Sequence, residues 1–150
     1  MNTVRMDTEA LSLTGGRRVG QPGHNLALEF IEKRMGEEKL SFLKGNSFRL
    51  PYKADRQEFC NLAGVIPGSD SALMPVLIGA HYDSALDGPC SDDNAASVAV
   101  SLCAGLFRTS DELLLLCFLM QRNRLTFIQR RWVHTGFSRI TAGTLSSHRW

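Results

Sequence analysis

Val76-Leu77-Ile78-Gly79-Ala80-His81-Tyr82-Asp83-Ser84 is followed, after a short loop, by Gly88-Pro89-Cys90-Ser91-Asp92-Asp93-Asn94-Ala95-Ala96-Ser97. The first five of these residues form a continuous apolar run, which predicts a strand covered on both faces. Residues 94–107 are rich in Ala, Val and Leu and predict a buried helix, and residues 113–118 predict a second wholly apolar strand. Strand, loop, helix and strand in this order predict an α/β sheet with helices on its faces. Polar residues crowd together just past the end of the first strand, the edge of an open α/β sheet where ligands bind.

Upstream, apolar residues at Ala27, Phe30, Ile31 and Met35 recur at helical spacing, with Pro22 before the start and Gly36 at the end. This pattern predicts an amphipathic helix over residues 24–35, with His24 solvated in its first turn and not a ligand. Residues 42–52 predict a strand broken at Gly45-Asn46, and residues 59–66 a better one, ended by the turn Pro67-Gly68-Ser69-Asp70. The glycine-rich stretch from Gly15 to Gly23 lacks the spacing of a phosphate-binding loop and is expected to be a connector. Residues 1–14 are expected to be a disordered lead-in.

A chain of 150 residues suits one domain, and 43% apolar content with a mean hydropathy of -0.11 suits an ordinary globular protein. The formal charge of +2 is too small to point to nucleic acid or an anionic membrane as partner. The charge is unevenly placed. All 15 acidic residues and 11 of the 17 basic ones precede residue 119, and the remainder carries six arginines and no acid. Such a segment does not read as a continuation of the same surface. With no apolar run of signal-peptide or membrane-span length, the chain as written is expected to be cytoplasmic. Cys60, Cys90, Cys103 and Cys117 form no CxxC pair and are expected to be reduced, buried thiols.

His81 and Asp83, two apart on an extended segment, point to the same side. An imidazole can bind zinc through one nitrogen while a carboxylate accepts from the other and fixes the ring. Asp92 and Asp93 are adjacent acids that repel each other. They could cap a helix N-terminus, or one could bridge two cations. The string A-H-Y-D-S, with D-D-N-A-A-S beginning eleven residues after the histidine, resembles the M28 family of zinc aminopeptidases. So do the GRRxGxPG opening, the first helix and the N-L-A-G-V-I-P-G strand and turn. The likeness runs in order through residues 14–118, the N-terminal part of that catalytic domain. It implies a three-layer α/β/α fold with a mixed sheet, here incomplete, a site for two Zn2+ ions and a peptide substrate. By the same resemblance His81 is a zinc ligand, Asp92 the bridging carboxylate, Asp83 the group that orients His81, and Asp93 a supporting acid. The related glutaminyl cyclases bind a single zinc and usually lack the doubled acid, so the pair points to the two-metal branch.

Past residue 118 the pattern stops. The family has a Glu-Glu pair after this strand, one a general base and the other a ligand. Here Leu119-Met120-Gln121-Arg122 follows, with no acid later in the chain. A one-base slip of the reading frame near Phe118 would hide A-E-E followed by G-S in residues 119–137, with the Ala and Gly forced by the single codons of Met120 and Trp132. Residues 119–150 are therefore expected to be an aberrant, frameshifted tail. A basic arm for RNA is the competing reading, but no RNA-binding motif is present. The expected function is that of an M28-like peptidase, truncated and inactive as written. The alternative is a non-catalytic interaction domain of the same fold.

Overall fold

The computed structural model describes residues 3–54, 56–104 and 111–120. Among them are α1 (Thr3–Ser12), α2 (Pro22–Glu37), β1 (Ser41–Phe42), β2 (Arg49–Ala54), β3 (Gln57–Ile66), β4 (Val76–His81), α3 (Ala96–Cys103) and β5 (Leu114–Leu119). A kinked turn, Ser91–Ala95, leads into α3. The expected tail lies outside the described residues except for Leu119 and Met120, and β5 runs one residue beyond the expected boundary.

The sheet is mixed, and the chain is of the α/β class that the sequence predicts. β5 pairs antiparallel with β3 and parallel with β4, while β1 and β2 pair antiparallel with β3. Parallel neighbours need a crossover, and α3 supplies it between β4 and β5. The register places His81 beside Leu119, so both parallel strands end together at the edge that carries the polar residues.

Alternation along β5 divides the interior. Leu114, Leu116 and Phe118 enter a core shared with Leu11 of α1, Ile31 of α2 and Val98 of α3. Leu115, Cys117 and Leu119 meet Ala63 and Val65 on the opposite face. Every β5 residue is buried, which explains its unbroken apolar sequence. The described helices cover one face of the sheet, so two of the three expected layers are seen. Burying a side chain such as Phe118 stabilises the fold by about 1.5–3 kcal/mol.

Four expectations need correction. Residues 3–12 are helical, not a disordered lead-in. Leu11 is fully buried, and Arg34 of α2 donates to the buried Asp7 carboxylate at 3.1 Å. Those partners lie far along the sequence, so residues 1–14 alone did not reveal them. β4 is not covered on both faces: Val76 is 43% exposed and Leu77 39%. It ends the strand order, and only Ala80 within it is buried. α2 runs through Gly36 to Glu37, and the left-handed residue after it is Lys39, at φ 51°. Its start is as expected, with Pro22 in the first turn, where a missing N–H costs nothing. All four cysteines are free, but only Cys117 is buried, and burial pushes its thiol up to about 12.

Candidate metal centre

His81 closes β4 and is half-buried at the sheet edge. Its Nδ1 lies 3.1 Å from the carbonyl oxygen of Asp83. A carbonyl only accepts, so Nδ1 carries the proton and donates, which leaves the lone pair on Nε2. Nε2 lies 3.4 Å from Asp93 Oδ1. Two electron-rich atoms at that range repel unless a proton or a metal ion lies between them. The spacing suits a metal, because ligands about 2.1 Å from a tetrahedral zinc stand about 3.4 Å apart.

Asp83 lies behind the imidazole. Its Oδ1 is 3.4 Å from Nδ1, yet it is buried without a hydrogen bond. The Nδ1 proton goes to the nearer backbone carbonyl, so the Oδ1 contact is electrostatic. Burial raises the Asp83 carboxyl above its ordinary value, against the opposing pull of the His81 imidazole.

Of the two adjacent acids, the structure brings the second to His81. Asp93 faces His81, whereas Asp92 is exposed and forms no ion pair among the described residues. Inside this turn the backbone leaves helical values at Asp93 (φ -131°, ψ 75°) and Asn94 (φ -141°, ψ 39°). That break turns Asp93 inward. Counting residues in the D-D-N string could not show it.

The sequence reading also missed what holds the site. The supposed connector contains Arg17, which is fully buried. Its Nε donates to Tyr82 O at 3.0 Å, and Nη1 donates to Leu11 O and Pro89 O at 3.0 Å each. Nη2 donates to Cys90 O at 2.8 Å and to Asp93 O at 3.3 Å. The five N–H donors of an arginine fork are thereby all used. Burial draws the guanidinium below its ordinary value, opposed by the nearby Asp93 and Asp83 carboxylates. The Arg17 backbone is bound as well: its N–H donates to Ser84 Oγ at 2.9 Å, and its carbonyl accepts from Ser84 N at 3.1 Å.

His24 is buried too, not solvated as expected. Its ring stacks on Tyr82 with centroids 4.9 Å apart, and Nδ1 lies 3.2 Å from Arg17 O. Tyr82 in turn donates its hydroxyl to Cys60 O at 2.7 Å. Gly23 is required by this packing, since a Cβ there would run into the Gly16 and Thr14 carbonyl oxygens. A single signal could have pointed here: the GRRxGxPG string, which carries a charged residue among close-packing glycines.

Among the described residues no three His, Cys, Asp or Glu side chains are grouped to hold an ion. The His81–Asp93 pair is therefore spaced for a metal, but the donor set is short of the three or four protein ligands that zinc sites normally use.

The mixed sheet, with this pair just past the end of β4, makes the chain one of the α/β class. Residues 61–111 match the family model of peptidase family M28, the family the sequence resembles. Among solved structures, the chain is similar to the glutaminyl cyclase of Fimbriiglobus ruber, with a TM-score of 0.63 at 14% identity over 79% of this chain and 44% of that one. The glutaminyl cyclase of Porphyromonas gingivalis gives 0.60 at 15% identity over 82% and 48%. A protein of Bacteroides vulgatus described as a Zn-dependent exopeptidase gives 0.58 at 14% over 83% and 48%. No curated protein matches the chain in sequence. The chain spans less than half the length of these solved structures, and at such identities the likeness is one of fold alone.

Proposed function

We propose that this chain is the N-terminal part of a metallopeptidase-type catalytic domain and contributes His81 and Asp93 to a divalent-metal centre. The 3.4 Å approach of Nε2, the accepting nitrogen of the neutral ring, to the Asp93 carboxylate carries this reading. Zinc is the ion the family resemblance favours. In a complete centre it would polarise a peptide carbonyl and acidify a bound water. Asp83 keeps the His81 ring in the tautomer that leaves Nε2 free. The bridging role that the resemblance gave to Asp92 passes to Asp93. Peptides are the proposed substrate of the complete domain.

Among the described residues the grouped donors stop at this pair, and no Asp or Glu follows Glu112 in the sequence. The purified chain is therefore expected to take up zinc weakly and to hydrolyse no aminoacyl amide. Calorimetric titration with zinc tests the centre. Uptake by the unmodified chain should vanish in Asp93→Asn, and equal uptake by both proteins would end the proposal. A chelator-sensitive turnover that copurifies with the chain would overturn the expected inactivity.

The exposure of Asp92 favours a second reading of the same site. With only one of the two adjacent acids at the imidazole, the doubled acid no longer argues for two metals, and the centre would hold one ion. One zinc equivalent per chain supports this reading, and two equivalents restore the two-metal one.

A further inference from the structure

We infer that Arg17 is the positioning residue that sets the His81–Asp93 pair. The inference rests on the reading of that pair as a site. Tyr82 directly follows the imidazole-bearing residue, and Asp93 bears the carboxylate. One planar guanidinium binds the backbone carbonyls of both. Its remaining donors take Pro89 and Cys90, the end of the intervening loop, and Leu11 of α1. A rigid fork with five fixed donors thus spans the two segments that carry the facing groups. It sets their separation through the main chain without touching either side chain.

Several observations make this more than a stray buried charge. All five Arg17 acceptors are backbone carbonyls, so the fork reads the path of the loop and not its side chains. The bonds from the Arg17 backbone to Ser84, one to its hydroxyl and one to its backbone N–H, fix the fork's own base against the start of the loop. The neighbouring Gly16 packs so closely on Asp87 and Gly88 that a Cβ would lie 3.0 Å from Gly88 N. Lysine is no substitute, because its three donors on a flexible stem lack the fork's fixed directions.

The experiment uses the full chain with Arg17→Lys, and Arg17→Ala refolded with and without methylguanidinium. Imidazole nitrogen spectra report the state of His81, and amide exchange compares residues 82–93 with β3 and β5. Arg17→Lys should keep the strand protection while exchange across 82–93 speeds at least tenfold and the His81 ring signals shift. In Arg17→Ala, methylguanidinium should restore both signals. Unchanged His81 spectra and loop protection in Arg17→Lys would overturn the inference. So would a parallel loss of loop and strand protection in both variants that methylguanidinium does not reverse, since that is the mark of a purely structural staple. Zinc titration of the unmodified chain keeps the two readings apart. Should it bind no zinc while the His81 signals still depend on Arg17, the metal reading fails and the positioning role stands.

Discussion

β5 and the loop from residue 82 to residue 93 lie beside each other at the same sheet edge and are held by opposite kinds of force. β5 is secured by burial on both faces, spread over six side chains, none of which needs a particular direction. The loop buries Tyr82 and Ser84 but depends on a set of directed bonds that converge on Arg17. Apolar burial is distributed and grows with area, whereas a hydrogen-bonded hub concentrates risk in one residue. A defect in the strand should therefore weaken the whole fold, and one in the loop should first disturb the site.

The largest expected effect falls on the strand. Phe118→Ala removes a fully buried ring from the shared core and should cost about 3–5 kcal/mol in chemical denaturation. A cost below 1 kcal/mol would show that β5 is not the centre of the core, and the contrast would collapse.

Next come the glycines that let the N-terminal stretch approach the loop. Gly23→Ala drives a Cβ into backbone carbonyls that have nowhere to go, and about 1–3 kcal/mol of stability should be lost. Gly36→Ala is the matched control. It lies in α2 with open space around the new carbon, and should stabilise the chain by about 0.5–1 kcal/mol. Equal responses at the two positions would mean that the glycine-rich stretch is the loose connector its composition suggested.

Strands β3 and β5 and helix α2 were legible because their signals are local. An apolar run or a helical stripe is written in consecutive residues, and burial follows from it. His81 and Asp83 lie together because they are two apart in sequence, but the imidazole N–H goes to the Asp83 carbonyl and not to the carboxylate that the spacing suggested. The rest was not local. Arg17 meets partners 65 to 76 residues away across the loop, and its five acceptors are carbonyls that every residue type shares, so no residue identity announces them. His24 looked like a solvated first-turn residue because the Tyr82 ring that stacks on it lies far along the sequence. The choice between Asp92 and Asp93 turned on two backbone angles inside a turn, below what spacing can express.

His24 sharpens the comparison through pH. Burial lowers its pKa, so the unfolded chain, with a histidine near its ordinary value of about 6.5, binds a proton that the folded chain refuses. The unfolded state then holds more protons, and stability rises with pH across that window. The contribution is full above about pH 6.5 and is lost as pH falls below it, with a slope of at most about 1.4 kcal/mol per pH unit. Denaturation midpoints measured between pH 7.5 and 5 should show the decline, and His24→Gln should flatten it. An unaltered slope in that variant would place the titrating group elsewhere.

The smallest effect is expected at Asp92, and it discriminates between adjacent residues of the same type. An exposed carboxylate without an ion pair among the described residues has little to lose, so Asp92→Asn should change stability by no more than about 0.5 kcal/mol. It should also leave zinc uptake unaltered, because the group approaching His81 belongs to the next residue. Asp93→Asn keeps the shape of the side chain but removes the charge that a cation between the two groups would need. Loss of uptake in the Asp92 variant with retention in the Asp93 variant would restore the order the sequence pattern suggested. It would also mean that the turn between Cys90 and Ala96 winds differently from the path that the Arg17 fork now holds.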